Sequence, residues 1–99
     1  MTLLVFIYKI SCKLDNRCYV GQTAFDVNMR FRQHAKANSV LGRAMRQLGV
    51  ENFSVEILDC VQHTVADDVE IAWIERLNCR VPNGFNVARG GFPARVLHS

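Results

Sequence analysis

Five polar side chains in this sequence are placed where they could serve one chemical site. Tyr8 and Tyr19 lie in two short runs typical of β-strands, and Arg30 and His34 are four residues apart. In a helix that spacing puts two side chains on one side, so Arg30 and His34 can reach the same object. Glu70 falls among apolar residues, where a carboxylate is costly unless a charge, a hydrogen bond or a metal ion receives it.

Each of these residues also has an ordinary structural explanation. Paired tyrosines on a hairpin commonly pack across the strands with their hydroxyls at the wet edge. An arginine beside an apolar stripe usually extends its head group to solvent, and a lone histidine is more often a packed surface residue than a ligand. For Glu70, the alternative to a metal ligand is a salt bridge to an arginine such as Arg30, and composition alone does not decide between them.

The two tyrosines belong to a predicted β-hairpin over residues 5–22. β-branched and aromatic residues enrich both of its strands, and residues 15–17 tolerate the left-handed backbone of a tight turn. Because side chains alternate along a strand, Tyr8 lies on one face of the first strand, and Tyr19 and Gly21 share one face of the second. The two tyrosines can therefore converge.

Two helices and a third strand are predicted to follow. Asp26 is a suitable N-cap for the first helix, whose buried stripe recurs at every fourth residue: Val27, Phe31 and Ala35. Ser39 can cap the second helix and Gly49 can end it, with one apolar face between them: Val40, Leu41, Ala44, Met45 and Leu48. Residues 52–58 then alternate as in a strand, with three apolar residues on one side: Phe53, Val55 and Ile57.

The third predicted helix carries Glu70. Thr64 followed by Asp67 resembles a capping box, from which the helix runs to about Leu77. At about 100° per residue, the apolar side chains fill one continuous arc: Val65, Ala66, Val69, Trp73, Ile74 and Leu77. Glu70 lies inside this arc.

Composition indicates a single domain with a basic middle segment. The chain has 99 residues, 49% of them hydrophobic, and a formal charge of +3. No acidic residue lies between Asp26 and Glu51, whereas five basic residues do: Arg30, Arg32, Lys36, Arg43 and Arg46. Such a segment would present a positive surface to a polyanion, although a solvated helical face is the commoner explanation of any one such run. The longest apolar run, residues 3–8, is too short to span a bilayer, so no membrane partner is expected.

The four cysteines are widely spaced and make no C-x-x-C pair, which argues against a zinc site. Cys12 and Cys18 bracket the hairpin turn and could come close. No signal peptide is recognised, so we expect reduced thiols in a soluble, cytoplasmic protein.

The order of these elements resembles the GIY-YIG nuclease family. The positions that carry the resemblance are, in chain order, Phe6-Ile7-Tyr8, Tyr19-Val20-Gly21, Arg30, His34, Glu70 with residues 72–78, Gly84-Phe85-Asn86 and Gly90-Gly91. They span nearly the whole chain, and residues 41–58 are most similar to the phage and intron homing endonuclease branch. Phe6 stands where the family has its first glycine, but no catalytic position is lost.

The resemblance implies an α/β (α+β) fold, in which helices flank a central three-stranded antiparallel sheet. The nuclease domain would cover residues 1–91, with a frayed tail at residues 92–99. The implied reaction is hydrolysis of a DNA phosphodiester with one divalent ion, Mg²⁺ or Mn²⁺, for which Glu70 would be the single protein carboxylate.

Roles for the other site residues also follow from the resemblance. Tyr8 would be the general base, with Tyr19 and His34 supporting it, since a phenol is mostly protonated at neutral pH. Arg30 would stabilise charge on the scissile phosphate, and Asn86 would hold the hydrogen-bond network or a phosphate in place. Salt-dependent contacts to the DNA backbone are expected from six basic residues: Lys9, Lys13, Arg32, Lys36, Arg43 and Arg46.

Homing members of the family carry a linker and a sequence-specific DNA-binding domain after this module, and no segment here resembles one. We therefore expect a homing-type catalytic module or a standalone phage-type nuclease, monomeric, which could act with a separate DNA-targeting domain or partner. Two alternatives stay open: a structure-specific DNA repair nuclease of the same family, and a catalytically silent module that only binds nucleic acid.

Overall fold

The computed structural model describes residues 3–88 and residue 90. Its elements, in chain order, are strand β1 (Leu4–Cys12), strand β2 (Cys18–Thr23), helix α1 (Val27–Lys36), helix α2 (Val40–Leu48), a single 3-10 turn (Val50–Asn52), strand β3 (Phe53–Gln62) and helix α3 (His63–Leu77). The predicted tail at residues 92–99 lies outside the described residues. None of the helices in the described part combines the length and apolar character that crossing a bilayer requires.

The strands form one three-stranded antiparallel sheet, as predicted, and their order in it is β2-β1-β3. β1 is central, and its Tyr8 lies opposite Gly21 of β2. On the other side, Ile7 pairs with Asp59 and Tyr8 pairs with Ile57, which leaves one extra residue of β3 between the two pairs. That residue forms a β-bulge, which shifts the phase of the side chains along β3.

The prediction for β3 was wrong about its end, since the strand continues to Gln62, four residues beyond the predicted end. Phe53, Val55 and Ile57 lie opposite Cys12, Ile10 and Tyr8 and share one side as predicted, although Ile57 is 54% exposed. Leu58, in the bulge, and Val61, beyond it, pack against the opposite apolar cluster. The apolar pattern therefore resumes in a new phase, which strict alternation does not anticipate.

An apolar cluster covers each face of the sheet. On one face, residues of α1 and α2 pack with Tyr8 and Ile10, and Leu41 and Met45 are almost completely buried. On the other face, residues of α3 pack with Ile7 and its neighbours. Because neighbouring residues of β1 point in opposite directions, Tyr8 belongs to the α1 face and Ile7 belongs to the α3 face.

The predicted starts of α1 and α2 are confirmed, but that of α3 is wrong. Asp26 and Ser39 each accept a hydrogen bond from a backbone N–H in the first turn of their helix. α3 instead begins at His63, directly after β3, so Thr64 lies inside the helix and caps nothing. Because β3 is longer than predicted, no loop separates it from α3. Val65, at the margin of the predicted apolar arc, is 45% exposed.

After α3 the chain returns along the outer edge of β2. The N–H of Phe85 donates to the carbonyl of Cys18 over 2.9 Å, and Cys18 Sγ lies 2.7 Å from Cys79 Sγ. The closest cysteine contact of Cys18 is thus across the fold rather than across the hairpin turn to Cys12, and both thiols are free. The contact lowers the pKa of Cys18 to about 7 and raises that of Cys79.

Candidate active site

Tyr8 and His34 form a buried hydrogen-bonded pair between the sheet and α1. Tyr8 Oη lies 2.8 Å from Nε2 of His34. Tyr8 has no exposed surface, and His34 is 7% exposed. The pair exists because β1 directs Tyr8 toward the α1 face, where α1 packs with its inner side over the sheet.

The surroundings keep both members of the pair neutral. Burial and the neighbouring Tyr19 raise the pKa of Tyr8, against the opposing effect of Arg30. Burial and the positive charge of Arg30 lower the pKa of His34 to about 4. At neutral pH the short contact therefore joins a phenol to an uncharged imidazole, between which a single proton can be shared.

Tyr19 completes an aromatic group around this pair. Its ring meets that of His34 edge to face with centroids 4.9 Å apart, and its centroid is 6.4 Å from that of Tyr8. The predicted convergence of the tyrosines is confirmed. Gly21 makes it possible, because a Cβ at that position would lie 2.6 Å from Tyr8 Oη and 2.9 Å from Tyr19 Cε2.

Glu70 approaches from the other face of the sheet. It is 5% exposed on α3, as its position in the apolar arc predicted. Its Oε1 accepts a hydrogen bond of 2.8 Å from Nε2 of Gln22, which donates over the same distance to Oδ1 of Asp67. Sequence analysis missed Gln22 as a site residue and read Asp67 as part of a helix cap. The available signals were that Gln22 directly follows Gly21 and that Asp67 lies one helical turn before Glu70.

Arg30 lies on α1 beside Tyr8. The residue is half-buried, and its Nη1 donates to Oε1 of Gln33 over 2.7 Å. Its positive charge opposes the rise in the pKa of Tyr8 and lowers the pKa of His34, so it acts on both members of the pair. Arg30 and His34 are thus brought to the same place, as their spacing predicted.

Two surface depressions lie on either side of the Gln22–Glu70 contact, one lined by Glu70 and the other by Gln22. A cleft of about 290 Å³ is lined by residues that include Tyr19, His34 and Glu70, and an open groove of about 720 Å³ is lined by residues that include Gln22 and Arg30. Tyr8 lines neither and lies behind His34. Of the six residues predicted for the site, five thus surround or directly support these two depressions through their side chains.

The sixth residue, Asn86, lines the cleft, but its side chain is engaged with the backbone of β2. Its Oδ1 accepts from the N–H of Val20 and its Nδ2 donates to the carbonyl of Val20, both over 2.9 Å. Gly90 closes the same end of the cleft at φ 102°, where a Cβ would lie 2.6 Å from Ile74 Cδ1. The structure thus gives Asn86 a backbone-bracing contact that sequence analysis did not specify.

The six predicted DNA-contacting residues separate into distinct groups. Four are exposed on α1, on α2 or at the hairpin turn: Lys13, Arg32, Lys36 and Arg43. Arg46 is exposed too, but its Nη1 donates to the carbonyls that end α1, at Ala35 and Ala37. Lys9 alternates with Tyr8 along β1, so it lies on the opposite face of the sheet and pairs with Glu56 at 3.0 Å. Lys9 thus lies apart from the other five, and its contact with DNA stays a prediction.

The fold and the paired tyrosine–histidine cleft define a nuclease domain of the GIY-YIG class. The sequence model of the GIY-YIG catalytic domain matches residues 4–86, and the chain belongs to this family. It is accordingly a DNA endonuclease, a hydrolase of phosphodiester bonds. No curated protein matches the sequence significantly.

Two solved structures are similar to this chain over almost their whole length. One is the E-to-A mutant of the catalytic domain of the intron endonuclease I-TevI, with 29% sequence identity, a TM-score of 0.76, and coverage of 93% of this chain and 99% of that one. The other is the catalytic domain of homing endonuclease I-TevI, with 29% identity, a TM-score of 0.70, and coverage of 85% and 98%. The likeness places the chain with the phage and intron homing branch.

Proposed function

We propose that this chain is a divalent-metal-dependent endonuclease that cuts DNA as the catalytic module of a homing-type or standalone phage-type nuclease. The observation that carries the proposal is the meeting of a neutral Tyr8–His34 pair with the buried carboxylate of Glu70, beside Arg30. These groups supply a proton acceptor, an anionic ligand for a cation and a clamp for a phosphate. The scissile phosphate lies where the groove and the cleft meet.

Arg30 binds the scissile phosphate from the groove. Its planar guanidinium can donate two parallel hydrogen bonds to phosphate oxygens, and its charge opposes the negative charge that builds up on them in the transition state. Nη1 donates to Oε1 of Gln33, and Arg30 also interacts with the hydroxyl of Tyr8, so these contacts hold the guanidinium beside the aromatic pair. A guanidinium has five N–H donors, so two such contacts do not exhaust them.

Tyr8 and His34 together take the proton of the attacking water. A free Tyr8 phenolate is unfavourable, because burial raises the pKa of Tyr8. If Tyr8 passes its own proton to Nε2 of His34 while it accepts one from water, no phenolate forms. Because Tyr8 has no exposed surface in this structure, the step requires the side chains around it to open toward the cleft when DNA binds. His34 is uncharged at neutral pH, so Nε2 can receive the phenol proton, but its pKa of about 4 means that it holds this proton only transiently. Tyr19 packs against His34 and fixes the plane of its ring.

Glu70 is the residue that would hold the metal ion. Among the described residues, no group of three or more His, Cys, Asp and Glu side chains could do so. A single carboxylate in a cleft suits Mg²⁺ or Mn²⁺, which retain several waters and accept phosphate oxygens as further ligands. When bound, such an ion polarises the phosphate and stabilises the leaving oxygen. Asn86 contributes indirectly, since it holds the backbone of β2 next to Tyr19.

The exposed basic residues of α1, α2 and the hairpin turn bind the DNA backbone without reading sequence: Lys13, Arg32, Lys36, Arg43 and Arg46. Specificity for a DNA sequence then comes from a separate targeting domain or partner. The part of the chain that the structure describes forms one such cleft, which suits a monomer that nicks one strand at a time. We infer that it acts in the cytoplasm. A structure-specific repair nuclease would use the same cleft on branched DNA, and a module that only binds would need none of the catalytic groups.

A plasmid nicking assay tests the proposal. The protein is incubated with supercoiled DNA and Mg²⁺, Mn²⁺ or EDTA, beside Glu70→Gln, which keeps the size and hydrogen-bonding capacity of the side chain but removes its charge. Metal-dependent nicking that is lost in Glu70→Gln supports the proposal. Nicking in EDTA, or a Glu70→Gln variant as active as the parent, contradicts it. Faster cutting of flaps or junctions than of linear duplex would favour the repair function.

A further inference from the structure

Gln22 lies on the edge strand β2 and joins it to α3. It follows Gly21 on β2 and pairs with Ile7 of β1, so its side chain points to the α3 face. There its Nε2 donates to Oδ1 of Asp67 and to Oε1 of Glu70, each over 2.8 Å. Asp67 and Glu70 are three residues apart on α3 and therefore lie on the same side of the helix.

These two hydrogen bonds use both hydrogens of the amide. With one acceptor the amide plane could still rotate, whereas a second carboxylate on the other hydrogen fixes it. Hydrogen bonds to ionised acceptors are also roughly twice as strong as bonds between neutral groups. Asp67 thereby fixes the amide of Gln22, and Gln22 restrains Glu70, a side chain with three rotatable bonds, in one orientation beside the cleft.

The chemical type of this partner suits a metal ligand. A lysine or arginine at the same place would neutralise Glu70 and compete with a cation for it. An amide restrains the carboxylate without adding charge, so Gln22 itself does not compete with a positive ligand for Glu70.

We propose that Gln22 is a positioning residue that orients Glu70 for a divalent cation, and that Asp67 acts through Gln22 rather than as a ligand. This inference rests on the proposed function, since it assigns the role of Glu70 as the metal ligand. Gln22 acts on the affinity for the cation, because it contacts Glu70 and not the aromatic pair that handles the proton. Partners that orient a metal ligand typically contribute about 10- to 100-fold in metal affinity.

The test compares Gln22→Met, which keeps the length of the side chain but removes both donors, with Gln62→Met, the same change at an exposed position at the end of β3. Two quantities are measured. The first is the Mg²⁺ concentration for half-maximal plasmid nicking, and the second is the dissociation constant of Mn²⁺ from the DNA-free protein, followed by the electron paramagnetic resonance signal of free Mn²⁺. Gln22→Met is expected to raise both by about 10-fold. The nicking rate at saturating metal should stay close to that of the parent, and Gln62→Met should match the parent in both.

Variants of Asp67 separate positioning from ligation. Asp67→Asn keeps the Oδ1 acceptor and should retain the parental metal requirement, whereas Asp67→Leu should raise it. Adding Asp67→Leu to Gln22→Met should raise it no further, since both changes break the same chain of contacts. The proposal is overturned if Gln22→Met lowers the maximal rate with an unchanged metal requirement, or if Asp67→Leu abolishes nicking as Glu70→Gln does.

The proposed function can fail separately. A parent that binds Mn²⁺ but never nicks DNA would contradict the nuclease activity alone, and the Mn²⁺ titrations of the two glutamine variants would still decide the role of Gln22. A parent that binds no Mn²⁺ at millimolar concentration and nicks without metal would overturn both.

Discussion

The side-chain amide of Asn86 pairs with both backbone polar groups of Val20, at 2.9 Å in each direction. Val20 is on β2, an edge strand, whose outward N–H and C=O groups have no neighbouring strand. The amide therefore makes the hydrogen bonds that one residue of a fourth strand would make. The N–H of Phe85 likewise donates to the carbonyl of Cys18, a second backbone group of the same edge. Since Asn86 is buried, these groups have little access to water.

Asn86→Ala should therefore lower stability. Two buried backbone groups lose their partner, at about 1–3 kcal/mol for each unsatisfied group. Urea unfolding at pH 7 should show a loss of about 2–6 kcal/mol, whereas Asn83→Ala, an exposed asparagine in the preceding turn, should change little. Loss of nicking with unchanged stability would instead mean that Asn86 acts on the substrate.

The depressed pKa of His34 predicts a loss of stability in mild acid. In the folded protein this pKa is about 4, against an ordinary value of 6.5, so between these values the unfolded chain binds a proton that the folded protein does not. Stability from this group is complete above pH 6.5 and falls as the pH drops toward 4, by about 3 kcal/mol in total.

Urea unfolding at pH 7, 6 and 5 checks this prediction. His34→Gln, which keeps an acceptor for Tyr8 but does not titrate, should show a shallower loss than the parent over this range. His63→Gln, at an exposed histidine, should keep the parental slope. Equal slopes in all three proteins would show that His34 is not held neutral by its surroundings.

The placement of the basic residues predicts a contrast in the salt dependence of DNA binding. Arg32 and Lys36 are exposed on α1, whereas Lys9 pairs with Glu56 on the opposite face of the sheet. Replacing both Arg32 and Lys36 by alanine should reduce the slope of log affinity against log salt by about 2, since each phosphate contact contributes about 0.9. Fluorescence anisotropy with labelled duplex in EDTA measures the slope. Lys9→Ala should keep the parental slope, and a reduction there would place the DNA on the other face.

Local patterns in the sequence predicted most of the fold. Alternation in β1 and β2 placed Tyr8 and Tyr19 together, and the apolar arc of α3 showed that Glu70 is buried. Alternation along β1 likewise places Lys9 on the face opposite to Tyr8. These features depend on spacing within one element, which the sequence records directly.

Other features depend on how separate elements meet, and no local pattern encodes them. The bulge in β3 arises from its register against β1, and the pairing of β3 with β1 as far as Gln62 sets where α3 begins. The bonds from Gln22 to Glu70 and from Asn86 to Val20 join residues 48 and 66 positions apart. Such contacts are decided by tertiary packing, which explains why sequence analysis found the residues of the site more readily than their partners.

The six residues of β2 serve as the common frame of the site. One side of this strand carries Tyr19 and Gly21 and the other carries Gln22, while Asn86 holds its outer edge. An edge strand is held by a single neighbouring strand, so it can open at a lower free energy than the whole domain. Transient detachment of β2 would withdraw Tyr19 from His34 and Gln22 from Glu70, while Tyr8, His34 and Glu70 stay on β1, α1 and α3. Catalytic competence should then disappear on heating or in denaturant before cooperative unfolding begins.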